Sequence, residues 1–118
     1  MLIVEDDLLL LKYISRDLSE MTKEIVFEAD SAETALDIWR ENKGSIRMLI
    51  TDCSLPGMNG DLLALKLREE NENLRILFIS GKPPSAMSEV PLRQGDNFLQ
   101  KPFKPEELKL ALNRFLQG

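Results

Sequence analysis

Met48-Leu49-Ile50-Thr51-Asp52 decides the fold, because it is a short apolar run that stops on a carboxylate. Three other runs share its form. Leu2-Ile3-Val4 leads into Glu5-Asp6-Asp7, Ile76-Leu77-Phe78-Ile79 into Ser80, and Phe98-Leu99-Gln100 into Lys101-Pro102. A short apolar run bounded by turn signals reads as a buried strand. In an open parallel sheet, ligands bind outside the carboxyl ends of the strands. The pattern therefore predicts one rim that gathers carboxylates, a hydroxyl and an ammonium.

Outward from these runs, helix patterns alternate with strand patterns. Over residues 8–21, Leu10, Ile14, Leu18 and Met21 make one apolar stripe. Residues 24–28 read as a second strand with Ile25-Val26-Phe27 at its centre. Asp30-Ser31 offers a helix cap, with Glu33 three residues after Asp30 as in a capping box. Ala35, Leu36 and Trp39 form the inner face of that helix, and Asn42-Lys43-Gly44 stops it. Residues 46–51 are the third strand and Asp52 ends it. The stretch from Ser54 to Gly60 is rich in turn formers. Residues 61–70 then form a helix with Leu62, Leu65 and, as an option, Leu63 facing inward. Residues 74–79 are the fourth strand and Phe98-Leu99 centres a fifth. Pro105 opens the last helix, whose stripe is Leu108, Ala111, Leu112 and Phe115.

Between Ser80 and Asp96 a crossover helix is required to join parallel strands. Pro83, Pro84 and Pro91 interrupt that stretch, so a short or distorted fourth helix is expected over residues 85–90. The alternation as a whole predicts a doubly wound α/β domain with helices on both faces of the sheet.

A chain of 118 residues suits a single domain over 1–118. With 15 basic and 20 acidic side chains it carries a net charge of −5, which argues against nucleic acid as a partner of this domain. The longest unbroken apolar stretch, Leu8 to Leu11, is far too short to cross a bilayer, so no membrane insertion is expected. The early charges of Glu5-Asp6-Asp7 speak against a signal peptide. One cysteine, Cys53, allows no internal disulfide and suits a reducing cytoplasm. Histidine is absent, which excludes a Ser-His-Asp triad and a histidine metal site. Chemistry that needs an imidazole must borrow one from a partner.

On the rim, Glu5, Asp6 and Asp52 are expected within a few ångströms of one another. Two like charges at about 4 Å repel by roughly 1 kcal/mol in water and roughly 4 kcal/mol at an effective dielectric near 20. A cation or protons must offset that. Ligands that are all oxygen suit a hard divalent ion such as Mg²⁺, with Mn²⁺ as a substitute. Mg²⁺ held by carboxylates points to phosphoryl transfer. An aspartate can itself be the nucleophile, and Asp52 is the candidate because it stands alone at the end of a central strand. Lys101 would balance charge on the phosphoryl oxygens, and Ser80 would donate a hydrogen bond to one of them. Plainer readings apply nearby. Asp7 is taken as a helix cap rather than a third ligand, Cys53 as a small buried strand residue, and Trp39 as core. Leu8 or Leu9 exceeds what one helix face can bury and is expected to be exposed.

Four motifs, in order and spacing, carry a family resemblance. They are Leu2-Ile3-Val4-Glu5-Asp6-Asp7, Asp52-Cys53-Ser54-Leu55-Pro56-Gly57-Met58-Asn59-Gly60, Ile79-Ser80-Gly81 and Lys101-Pro102-Phe103. Together they resemble the receiver domain of two-component response regulators over nearly the whole chain. The resemblance implies a flavodoxin-like fold with five parallel strands in the order 2-1-3-4-5. It implies that Asp52 accepts a phosphoryl group from a phosphohistidine on a histidine kinase or histidine phosphotransfer protein. It implies that Asp6 and Asp52 ligate Mg²⁺ directly, Glu5 through water and Ser54 through its main-chain carbonyl. Ser80 matches the hydroxyl switch position, Phe98 the aromatic switch position and Lys101 the family lysine. Ser54 and Lys82 match two positions that tune dephosphorylation, and Pro102 is expected to follow a cis bond. Leu55 replaces the methionine often found before the proline, and Phe98 lacks a hydroxyl.

The wording around Phe98 to Phe103 resembles receivers attached to hybrid sensor histidine kinases. The expected origin is therefore a receiver cut from such a kinase, in the cytoplasm or in the cytoplasmic part of a membrane-bound kinase. The alternatives are a stand-alone response regulator and a non-cycling interaction module of the same fold. A weak homodimer is compatible with either. The domain is not expected to be an enzyme beyond catalysing its own phosphorylation and dephosphorylation. A phosphatase of the haloacid-dehalogenase kind would place an aspartate two residues after its nucleophile, and Ser54 stands there.

Overall fold

The computed structural model describes residues 1–83 and 96–118. Five parallel strands form one sheet in the order β2-β1-β3-β4-β5. They are β1 (Leu2–Val4), β2 (Phe27–Ala29), β3 (Met48–Asp52), β4 (Arg75–Ser80) and β5 (Asn97–Gln100). Four helices are described: α1 (Leu8–Met21), α2 (Ala32–Glu41), α3 (Gly60–Glu70) and α4 (Pro105–Gln117). This is the flavodoxin-like architecture that the sequence led us to expect. The fourth helix expected over 85–90 lies outside the described residues.

Successive side chains of a strand point to opposite faces, and the apolar runs fill both. Leu2, Val4, Leu49, Ile76 and Phe78 pack with Ala32, Ala35 and Trp39 of α2 and with Leu63, Ala64 and Leu67 of α3. Ile3, Ile50, Leu77 and Ile79 pack on the other face with Leu11, Ile14 and Leu18 of α1 and Leu108, Leu112 and Phe115 of α4. Strands buried on both faces are continuous hydrophobic runs, which is why these segments were legible as strands.

Several local expectations are corrected. The second strand is Phe27–Ala29, and Ile25 is exposed instead of central. The third strand begins at Met48, two residues later than expected, and includes Asp52. Ser31 caps α2, its hydroxyl accepting the Thr34 amide at 3.1 Å, so Asp30 and Glu33 do not form the expected box. In α1 the buried stripe runs through Leu11, Ile14 and Leu18, and Met21 is exposed. In α3 the inner residues are Leu63, Ala64 and Leu67, whereas Leu65 is exposed and Leu62 only half-buried. Leu8 and Leu9 are both exposed, Leu9 at 85%.

Candidate functional site

The strand order reverses direction between β1 and β3, and the site residues stand where these two strands end. Ladder hydrogen bonds continue past the strand ends and hold the site chain. The Glu5 amide donates to the Ala29 carbonyl at 3.0 Å, the Cys53 amide to Ile79 at 2.8 Å and the Lys101 amide to Ser80 at 2.7 Å. Asp7 caps α1 as expected, its carboxylate accepting the Leu9 and Leu10 amides. That cap turns the chain sharply after Asp6 and leaves Asp6 exposed at the mouth of the site.

Glu5, Asp6 and Asp52 each offer a carboxylate oxygen, and these oxygens lie within 4.8 Å of one another. Glu5 is 1% exposed and Asp52 5%. The Lys101 ammonium answers two of the charges, donating to Glu5 Oε1 and to Asp52 Oδ2, each at 2.8 Å. The second Glu5 oxygen accepts the Asp7 amide at 3.0 Å, and Asp52 Oδ1 accepts the Ser54 amide at 3.0 Å. Burial pushes the Glu5 carboxyl up to about 7. The Asp52 charge adds to that rise, and the hydrogen bonds from Lys101 and the Asp7 amide oppose it. Burial alone would lower Lys101, but its bonds to Asp52 and Glu5 outweigh burial and hold the ammonium above its ordinary value. One cation facing three carboxylates leaves the cluster negative. Hard oxygen donors at this spacing fit a divalent cation of the Mg²⁺ kind.

Ser80 ends β4 and is buried, and its hydroxyl oxygen accepts the Lys82 amide at 3.0 Å. Lys82 is exposed beyond it, as is Ser54 on the β3–α3 loop. Phe98 is half-buried against the α2/α3 face. Cys53 lies just past the end of β3 rather than within it and is half-buried. Burial pushes its thiol up to about 12, with the charges of Asp61 and Asp52 adding to the rise, so it is a poor nucleophile at neutral pH. The Lys101–Pro102 peptide is cis.

Two further residues shape the site and were read from the sequence only as turn and strand residues. A Cβ on Gly60 would sit 1.8 Å from the Asp52 carbonyl oxygen, so α3 starts in direct contact with the Asp52 backbone. The Thr51 hydroxyl donates to that same carbonyl at 3.0 Å. Glycine at the end of a turn-rich loop was the available signal for the first. For the second, nothing distinguishes Thr51 from any other strand threonine.

Three carboxylates, a lysine and a strand-end serine thus meet at the carboxyl edge of this sheet. The family model for the response regulator receiver domain matches residues 1–113, and the chain belongs to that family of two-component signalling domains. It is 31% identical over 98% of its length to a chemotaxis protein CheY homolog of Campylobacter jejuni, spanning 91% of that protein. It is 34% identical over 98% of its length to the aerobic respiration control protein ArcA of Escherichia coli, spanning 47% of it. Among solved structures, the receiver domain of the hybrid histidine kinase CckA shares 33% identity, with a TM-score of 0.76 and coverage of 98% of this chain and 97% of that one. Receiver domains of this family bind Mg²⁺ through acidic residues and work with histidine kinases or phosphotransfer proteins. Among the described residues no helix is long and apolar enough to cross a membrane.

Proposed function

We propose that residues 1–118 are one receiver domain in which Asp52 takes a phosphoryl group from a phosphohistidine of a partner histidine kinase or histidine phosphotransfer protein. The observation that carries this reading is the Lys101 ammonium, at 2.8 Å from both Asp52 and Glu5, inside a cluster of three carboxylates. A carboxylate oxygen of Asp52 attacks phosphorus, an O–P bond forms, and the P–N bond to the partner's imidazole breaks with its electron pair left on nitrogen. Lys101 stays beside the acceptor and neutralises charge on the phosphoryl oxygens. Ser80, two residues before Lys82, supplies the hydroxyl that reads the phosphoryl group. Mg²⁺, or Mn²⁺ in its place, would be held by Asp6 and Asp52 directly, by Glu5 through water and by the Ser54 carbonyl, and it would supply positive charge to offset that of the phosphoryl oxygens. No histidine in this chain competes with the donor.

Ser80 and Phe98 are the switch pair in this reading, and Ser54 and Lys82 tune the phosphate lifetime. The likeness to the CckA receiver supports an origin in a hybrid histidine kinase. The near full-length match to the Campylobacter protein supports the stand-alone alternative. The chain is treated with acetyl phosphate and Mg²⁺ and weighed intact. A base-labile gain of one phosphoryl group is expected, and it is expected to vanish in Asp52→Asn or when chelator removes the metal. Equal modification of Asp52→Asn would overturn the assignment.

A further inference from the structure

β5 is weakly secured in the sheet. Among the described residues it borders only β4, and three of its four residues are half-buried while Gln100 is exposed. Its sequence does not choose a register by itself. Phe98 packs on the α2/α3 face and Leu99 on the α1/α4 face. Sliding β5 by one residue against β4 would exchange the two, and each face would still receive an apolar side chain. The connection over 81–96 is not a tight hairpin turn, which would fix the register by its geometry. A slip would be felt at the site. The Lys101 amide continues the ladder onto the Ser80 carbonyl, and the Lys101 ammonium reaches Glu5 and Asp52. One residue of slip moves that ammonium by about 3.3 Å and turns its side chain to the opposite face.

At the start of the strand, Arg68 of α3 gauges the register. Its guanidinium takes the Asp96 carboxylate in a fork, Nη2 donating to Oδ1 at 2.7 Å and Nη1 to Oδ2 at 3.3 Å. The same Nη2 donates to the carbonyl of Leu74, directly before β4, at 3.0 Å. One planar group thus holds the approaches to β4 and to β5 at a set offset. Both charged side chains are buried, Arg68 at 10% exposure and Asp96 at 5%. A buried ion pair adds little stability over apolar residues of similar volume, and its best-attested use is to specify register. We propose that Arg68 is a positioning residue: its fork fixes β5 in register with β4 and so places the Lys101 ammonium between Glu5 and Asp52. The consequence for phosphoryl transfer rests on the reading of Asp52 as the phosphoacceptor. Lys101 changes partners when a phosphoryl group arrives, so it does not hold the register through that step, whereas Arg68 does.

Arg68→Met combined with Asp96→Leu keeps side-chain bulk, removes the fork and leaves no unpaired buried charge. In the metal-free double variant, amide spectra are expected to show a second set of resonances over 97–101. The cross-strand contact of Phe78 with Phe98 is expected to weaken in favour of Phe78 with Asn97 or Leu99. With acetyl phosphate and saturating Mg²⁺, modification of Asp52 is expected to slow about three- to tenfold, the fall that follows if about a tenth to a third of the molecules keep the competent register. Mg²⁺ affinity is expected to rise about twofold, because a displaced Lys101 no longer competes for the carboxylates. A general loosening of the fold would lower both. A single set of resonances with the parent's Phe78–Phe98 contact would make Arg68–Asp96 a structural ion pair only and overturn the proposal, as would an Mg²⁺ affinity that falls with the rate. Should the double variant fail to fold, Asp96→Asn, which keeps the shape and loses one arm of the fork, takes its place in each measurement. A parent protein that gains no phosphoryl group would refute the phosphoacceptor reading, while the metal-free spectra would still decide the register.

Discussion

Glu5→Gln in the metal-free protein isolates the electrostatic tension of the site. The folded Glu5 carboxyl sits at about 7, above its ordinary value of 4.5. The folded state therefore holds a proton that the unfolded state releases, and stability falls as pH rises from about 4.5 to about 7. At 1.36 kcal/mol for each unit, the window corresponds to about 3 kcal/mol. The raised Lys101 lies outside this window, because its contribution is lost only as pH rises through its own elevated value. The lowered Glu28, paired with Lys12 at 2.6 Å, acts in the opposite sense and below it, losing its contribution as pH falls. Glutamine mimics the protonated carboxyl, and its oxygen can still accept Lys101. Glu5→Gln is therefore expected to flatten the profile between about pH 4.5 and about pH 7 and to stabilise the metal-free protein at the upper end by about 1–3 kcal/mol. For a domain of this size that is a rise in Tm of about 5–10 °C. Thermal and urea unfolding in chelator measure it. Parallel profiles for parent and variant would refute the reasoning. A divalent cation answers the same charge, so Mg²⁺ is expected to stabilise the parent more at about pH 8 than at about pH 5.

Three other perturbations follow from specific contacts. Lys101→Met leaves the buried Glu5 and Asp52 carboxylates facing each other, and metal-free unfolding at neutral pH is expected to show a loss of about 1–3 kcal/mol, partly restored by Mg²⁺. Gly60→Ala drives a methyl into the Asp52 carbonyl oxygen, and chemical denaturation is expected to show a loss of about 3 kcal/mol, with shifted Asp52 and Cys53 amide resonances. Asp17 is 2% exposed on α1 and its Oδ2 has no hydrogen-bond partner among the described residues, so Asp17→Leu is expected to raise stability in urea by about 1–2 kcal/mol without altering phosphorylation.

The strand ends were legible because apolar runs buried on both faces stop abruptly at polar groups, as at Val4–Glu5 and Ile79–Ser80. Positions at the sheet edge were less legible. Among the described residues β2 borders only β1, so Ile25 is free to be exposed and the strand starts at Phe27. In α3, Leu62, Leu63 and Leu65 offer competing phases. The seating of Gly60 on the Asp52 carbonyl sets the start of the helix, and Leu63, Ala64 and Leu67 are the residues buried. The choice of Ser31 over Asp30 as cap is a one-residue register that puts Ala32, Ala35 and Trp39 inward. For the site, strand-end position was enough to group Glu5, Asp6, Asp52, Ser80 and Lys101. The bridging of two carboxylates by one ammonium depends on the path of the chain through Lys101–Pro102, and no local pattern encodes it. The buried Arg68–Asp96 pair, at 2.7 Å, joins α3 to the start of β5 across 28 residues of sequence and was equally invisible.

The central claim is tested most directly by transfer from a phosphohistidine protein followed by borohydride reduction, which converts an aspartyl phosphate to homoserine that peptide mass spectrometry can locate. The account predicts homoserine at position 52 and nowhere else, and none when Mg²⁺ is withheld. Homoserine at Asp6 or Asp61, or transfer undiminished in Asp52→Asn, would contradict it.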